Sequence, residues 1–238
     1  MKKRILVLTL ILCLALTLLP ATASAGNGNT EFPQVVTAFL KIKFECGCKA
    51  TGSGGIIRPD GLITAGHNLL CKIHNKPAAS IDFYFGALST DNYWYKYTGK
   101  FTTYVFCDFS NGYTSENDIG IVKFSKRVGD STGWYGWDYG DATEYAGEKA
   151  FISSYNPDAK GLIYQATLSA YDDARVTFDH KALPESADGS PIYYLRGTGR
   201  NPALIGVYTG CEGETCFGSV INLDVALKIM DMLDMNAE

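Results

Sequence analysis

The feature that most constrains this chain's fold is its rhythm. From Val35 to Ile221 it is a succession of short β-branched and aromatic runs, broken at regular intervals by Gly, Pro and Asn-Gly signals. Val35 to Phe44 alternates in part. Gly55-Ile56-Ile57 and Leu62-Ile63 flank a Pro59-Asp60-Gly61 turn, and Ile81 to Phe85, Tyr93 to Phe106 and Ile119 to Phe124 follow. Ala150 to Ser153, Tyr164 to Tyr171, Leu204 to Tyr208 and Ser219 to Ile221 continue the series. Short strands at this spacing predict a sandwich or a barrel. One helix stands out at the end, capped by Asn222 or Asp224, with Leu223, Ala226, Leu227, Met230 and Leu233 recurring at helical spacing as a stripe to pack on a barrel. The pattern predicts a mostly β fold with a C-terminal α-helix.

The start of the chain speaks to compartment. Lys2, Lys3 and Arg4 precede an apolar run from Ile5 to Leu19, and Ala23-Ser24-Ala25 offers small residues for cleavage. That is the anatomy of a secretory signal peptide over residues 1–25, and the run is short of the ~20 residues a membrane span needs. An exported chain, secreted or in the cell-envelope space, with no membrane attachment after cleavage, is the expectation. The net charge of −4 becomes about −7 once the three leader bases leave, which argues against a nucleic-acid partner. Six cysteines remain: Cys46, Cys48, Cys71, Cys107, Cys211 and Cys216. An even number in an exported chain favours disulfides. Cys211 and Cys216 bracket a short loop and are the expected pair, leaving Cys46 and Cys48 to divide Cys71 and Cys107 between them. A zinc site is the rival reading, and one Cys-x-Cys without a second close pair or an organised His matches metal spacing poorly; no metal is expected.

Three segments carry chemistry. In the first, Gly52-Ser53-Gly54-Gly55-Ile56-Ile57, a turn, and Leu62-Ile63-Thr64-Ala65-Gly66-His67 place a histidine at a strand end. In the second, Asn117-Asp118-Ile119-Gly120-Ile121-Val122 opens an apolar strand with an acid about 50 residues later. Together they resemble the segments of trypsin-like serine peptidases that hold the catalytic base and the acid orienting it, and Thr-Ala-Gly-His is common in the glutamyl endopeptidases. Gly133-Trp134-Tyr135-Gly136-Trp137 resembles a further segment of that subgroup, at the crossover between barrels. The resemblance spans roughly Pro33 to Leu233. It implies two antiparallel Greek-key β-barrels: residues 26–130 carrying His67 as base and Asp118 as its partner, and residues 131–238 carrying the serine loop and the helix.

The third segment departs from the family. Its loop reads G-x-S-G-S-P or G-D-S-G-G-P, whereas here Ser186-Ala187-Asp188-Gly189-Ser190-Pro191 precedes Leu204 to Gly210. Anchored on Gly189-Ser190-Pro191, Asp188 takes the position of the nucleophile and Ser186 that of the oxyanion-hole glycine. An aspartate there is a poor nucleophile for peptides. Beside His67 it favours an ion pair that keeps the imidazole protonated, and its charge opposes a developing oxyanion. The resemblance thus implies a peptidase fold that is catalytically silent, acting as a binding or regulatory module for a protein or peptide in the inter-barrel cleft. The alternative is an active endopeptidase using His67, Asp118 and Ser190, although Ser190 lies two residues on, ~6.5 Å along extended chain. Specificity positions fall on Ala182 and Leu183 at the pocket floor, and on Tyr208 where the subgroup carries a His. A preference for Glu is therefore not supported. No organic cofactor is implied, and nothing in the sequence bears on oligomeric state.

Overall fold

The computed structural model describes residues 27–107, 109, 117–178, 183–197 and 201–235. The leader at 1–25 lies outside these residues, as does Ala182. Among the described residues no helix is long and apolar enough to cross a membrane.

Two seven-stranded sheets account for the series of short runs. The first is built from β1 (Thr37–Phe44), β2 (Lys49–Arg58), β3 (Gly61–Thr64), β4 (Ala78–Phe85), β5 (Tyr95–Tyr97), β6 (Phe101–Val105) and β7 (Gly120–Phe124). Its order is β5-β4-β1-β2-β3-β7-β6, a curled half-barrel. The second holds β8 (Gly136–Trp137), β9 (Lys149–Tyr155), β10 (Gly161–Ala170), β11 (Arg175–Phe178), β12 (Pro191–Arg196), β13 (Asn201–Glu212) and β14 (Thr215–Val220). Its order is β12-β9-β10-β11-β14-β13-β8, and pairing of β12 with β13 closes six of these strands into a barrel. Among the described residues every pairing between these strands is antiparallel except that of β8 with β13. The expected mostly β architecture of two barrel-like antiparallel sheets with a terminal helix is what the chain adopts.

Alternation along the strands fills a core within each sheet and apolar clusters between them. Leu40, Ile42, Ile56, Leu62, Phe83 and Val122 pack inside the first sheet, and Ile152, Leu168, Val176, Ile192, Ile205 and Tyr208 inside the second. A third cluster joins the sheets: Ile57, Ile63 and Ile121 of the first meet Tyr193, Leu204 and Val207 of the second. Tyr135, fully buried in the crossover segment, belongs to this seam, where its hydroxyl meets Thr37 Oγ1 at 2.9 Å. An apolar seam of this kind holds the two sheets in fixed register, because separating them would return its surface to water.

The terminal helix, α1 (Leu223–Met232), is capped by Asn222, whose side chain accepts the Val225 N–H at 3.0 Å. Its buried face is Val225, Ala226, Ile229 and Leu233; of the stripe expected from the sequence, Ala226 and Leu233 are buried and Met230 packs against the same cluster. Leu223 and Leu227 point to solvent, at 53% and 54% exposure. The buried face is turned slightly from the predicted one because Val225 and Ile229, beside Ala226 and Leu233, complete the stripe that meets the inter-sheet cluster, leaving Leu223 and Leu227 outside it.

Candidate active site

Strand β3 ends at Thr64, and Ala65 leads into a single 3-10 turn over Gly66–Asn68 that presents His67. The residue is buried. Its backbone N–H donates to Asp118 Oδ1 at 2.9 Å, and its Nδ1 lies 2.6 Å from Asp118 Oδ2. Asp118 stands just before β7, wholly buried, and also accepts the Cys107 thiol at 3.6 Å. Because β3 and β7 are paired neighbours, the strand-end histidine and the strand-start aspartate arrive side by side.

The second sheet brings Asp188 to the opposite edge of the ring. His67 Nε2 is 3.1 Å from Asp188 Oδ2. An ionised carboxylate only accepts hydrogen bonds, so a ring with a carboxylate at each nitrogen satisfies both by carrying two protons. Burial pulls the His67 pKa down, but the charge and hydrogen bond of Asp118, joined by those of Asp188, outweigh it and hold it at about 10. Around neutrality His67 is an imidazolium clamped between two carboxylates.

The loop carrying Asp188 is held by its backbone. Residues Glu185–Ala187 form a 3-10 turn, so the Asp188 N–H donates to the Glu185 carbonyl at 3.0 Å and the Ala187 N–H to the Pro184 carbonyl at 2.7 Å. The Asp188 carbonyl accepts from the Ser53 N–H and from Asn68 Nδ2, each at 2.8 Å. Ser53 Oγ donates to the Ser186 carbonyl at 2.7 Å, and Ser186 Oγ to the Tyr155 carbonyl at 2.8 Å. Gly189 follows with φ +86° and donates its N–H to the Tyr208 carbonyl at 2.7 Å. An oxyanion needs free, convergent N–H groups. Here the N–H of the nucleophile position is spent on a carbonyl of its own turn.

The remaining sequence-derived positions separate. Ser190 is fully buried, and its Oγ has no hydrogen-bond partner among the described residues. His67 Nε2 faces Asp188, so the alternative nucleophile is not brought to the base. Leu183 and Tyr208 line a recess beside Asp188 with Lys72, Glu185 and Gly210, and the Tyr208 hydroxyl receives the Leu183 N–H at 3.4 Å. An adjoining cleft carries His67 and Asp188 with Thr51, Asn68, Lys72 and Glu185 on its walls.

Two readings of the cysteines are corrected. Cys211 and Cys216 form the expected disulfide across the β13–β14 turn. Cys107, however, is not disulfide-bonded to Cys46 or Cys48: it sits against Asp118, because the end of β6 runs past the start of β7. Cys46, Cys48 and Cys71 gather instead around His74, the organised histidine that the sequence reading did not find. The clue was present as Cys71-Lys72-Ile73-His74. Sequence reasoning also passed over Ser53, within the segment 52–57, and Asn68, directly after His67, whose role as loop clamps depends on the two sheets meeting.

No family model and no curated protein matches the chain. Solved structures do. A Glu endopeptidase in complex with MPD superposes with a TM-score of 0.71 at 15% identity, covering 89% of this chain and 96% of that one. The protease Anisep from Arthrobacter nicotinovorans gives 0.66 at 14%, covering 89% and 99%. A scabies mite inactivated protease paralogue, S-I1, gives 0.67 at 16%, covering 88% and 99%. The fold of this chain is that of the trypsin-like serine peptidases, Glu endopeptidase among them.

Proposed function

We propose that this protein is an exported, non-catalytic member of the trypsin-like serine peptidase fold, which uses the cleft between its sheets to bind a protein or peptide. The observation that carries this reading is the 3.1 Å contact of His67 Nε2 with Asp188 Oδ2. A general base must accept a proton from a hydroxyl, and an imidazolium holding both its protons against carboxylates has no lone pair to offer. The nucleophile position supplies a carboxylate instead of a hydroxyl, and its N–H is bonded to Glu185. The same fold is carried by a protein described as an inactivated protease paralogue, so the fold and silence are compatible. A peptide lying along the cleft would meet Thr51, Lys72 and Glu185 on its walls, with Leu183 and Tyr208 in the recess.

Hydrolysis of casein and of a mixed peptide library by the purified mature chain tests the reading. The wild type should be inert and should take up no fluorophosphonate probe. Asp188→Ser alone restores a hydroxyl but leaves the Glu185 carbonyl on the turn, so it gains little. Adding Ser186→Gly removes the side-chain tie to Tyr155 and loosens the turn, and the double variant should become labelled and cleave. Hydrolysis by the wild type that disappears in His67→Gln would sink the proposal.

A further inference from the structure

Away from the catalytic ring, three sulfurs and an imidazole converge at the mouth of the cleft. Cys46 and Cys48 flank Gly47 in the turn between β1 and β2, and Cys71 and His74 lie in the loop that follows His67. Their donor atoms all fall within 4.8 Å of one another. His74 Nδ1 is 3.4 Å from Cys48 Sγ and 3.8 Å from Cys71 Sγ. A tetrahedral zinc ion with Zn–S near 2.3 Å and Zn–N near 2.05 Å sets its ligands about 3.6 Å apart for S···N and about 3.8 Å for S···S. We propose that Cys46, Cys48, Cys71 and His74 bind one Zn²⁺ in a Cys₃His site that ties the β1–β2 turn to the loop after His67.

The backbone of both segments is shaped to present these donors. Gly47 adopts φ +87°, and the turn is closed by Phe44 N–H to the Cys48 carbonyl and Gly47 N–H to the Phe44 carbonyl, both at 2.9 Å. In the second segment Asn75 N–H returns to the Cys71 carbonyl at 2.7 Å, and Cys71 N–H reaches the Lys76 carbonyl at 2.8 Å. The N–H groups of His74 and Ile73 point at the Cys71 sulfur, the outer-shell support a thiolate ligand needs. Sulfur with one imidazole and no carboxylate is a donor set for zinc rather than for calcium or magnesium. Disulfide bonding is the competing fate in an exported chain, but three sulfurs pairing among themselves leave one over. None of the three is bonded here, while Cys211 and Cys216 are. Three thiolates on a divalent ion carry a net negative charge, and Lys49 and Lys72 line the adjoining wall. Cys48 and Cys71 share that cleft with His67 and Asp188, so the ion would fix one wall whether or not the site is catalytic.

Metal analysis of the mature chain, secreted into zinc-supplemented medium and purified without chelator, is the test. One zinc per chain should survive dialysis, and Co²⁺ exchanged into the site should show thiolate-to-cobalt charge transfer and the intense visible bands of tetrahedral coordination. Cys46→Ser and His74→Asn, both at the solvent edge, should bring retained zinc to background with the circular dichroism of the fold unchanged. If either variant fails to fold, the wild-type metal content and cobalt spectrum decide alone. Background zinc with all three thiols free would overturn the site, as would peptide mapping that finds two of them joined. Neither result depends on whether the protein cleaves peptides.

Discussion

Asp188 is the residue on which the account turns, and Gly189 is what lets it sit where it does. With φ +86°, Gly189 bends the chain back toward β13 in a conformation that side-chain-bearing residues rarely adopt. A Cβ there would collide with Thr64 Oγ1, the Ser53 carbonyl and Asn68 Nδ2, the last of which also clamps the loop. Gly189→Ala therefore costs about 1–2 kcal/mol for the left-handed backbone and about 1–3 kcal/mol for the overlap. Urea denaturation should show that loss. A variant as stable as wild type would mean that the loop is held differently. From the sequence, the aspartate in place of serine was legible by alignment on Gly189-Ser190-Pro191. The clamp was not, since Ser53 and Asn68 reach Asp188 from more than a hundred residues away and only through tertiary packing.

At the scale of elements, the strand runs were readable wherever β-branched and aromatic residues stand between turn signals. The 3-10 turn over Glu185–Ala187 was not, since no periodic signal marks three residues. Helix α1 shows the limit of counting leucines. Its sequence holds two overlapping apolar stripes, and the choice between them was made by the cluster it covers rather than by its own composition. Its start is better specified: Asn222 accepts the Val225 N–H, one of the orphan donors of the first turn. Asn222→Ala should cost about 1 kcal/mol in thermal or chemical denaturation. No change would show that Asp224, the other candidate cap, serves instead.

For the whole molecule, two sheets packed together through apolar clusters place a buried cation between a carboxylate from each. His67 and Asp118 come from the first sheet and Asp188 from the second, so the charge triad doubles as a contact between them. Its linkage to pH has a definite sign. The folded His67 pKa, at about 10, lies above the ordinary value of 6.5. The triad's contribution to stability is therefore complete below about pH 6.5 and fades as pH rises through about 10. Denaturation midpoints should fall across that window, less steeply in Asp188→Asn and least steeply in Asp118→Asn, whose charge is the larger of the two attractions. A flat profile in wild type would contradict the triad. Legibility at this scale was uneven. The fold and the pairing of His67 with Asp118 were visible as motifs, whereas the gathering of Cys46, Cys48, Cys71 and His74 required the β1–β2 turn to fold onto the loop after His67.

The proposed silence of the site rests on one protonation state, and nitrogen-15 NMR of the His67 ring reads it directly. At pH 8 both ring nitrogens should carry protons and remain protonated until the pH nears 10. Asp188→Asn should bring that titration to lower pH. A wild-type His67 that loses its proton near 6.5, leaving Nε2 bare at neutral pH, would contradict the account and return the ring to duty as a base.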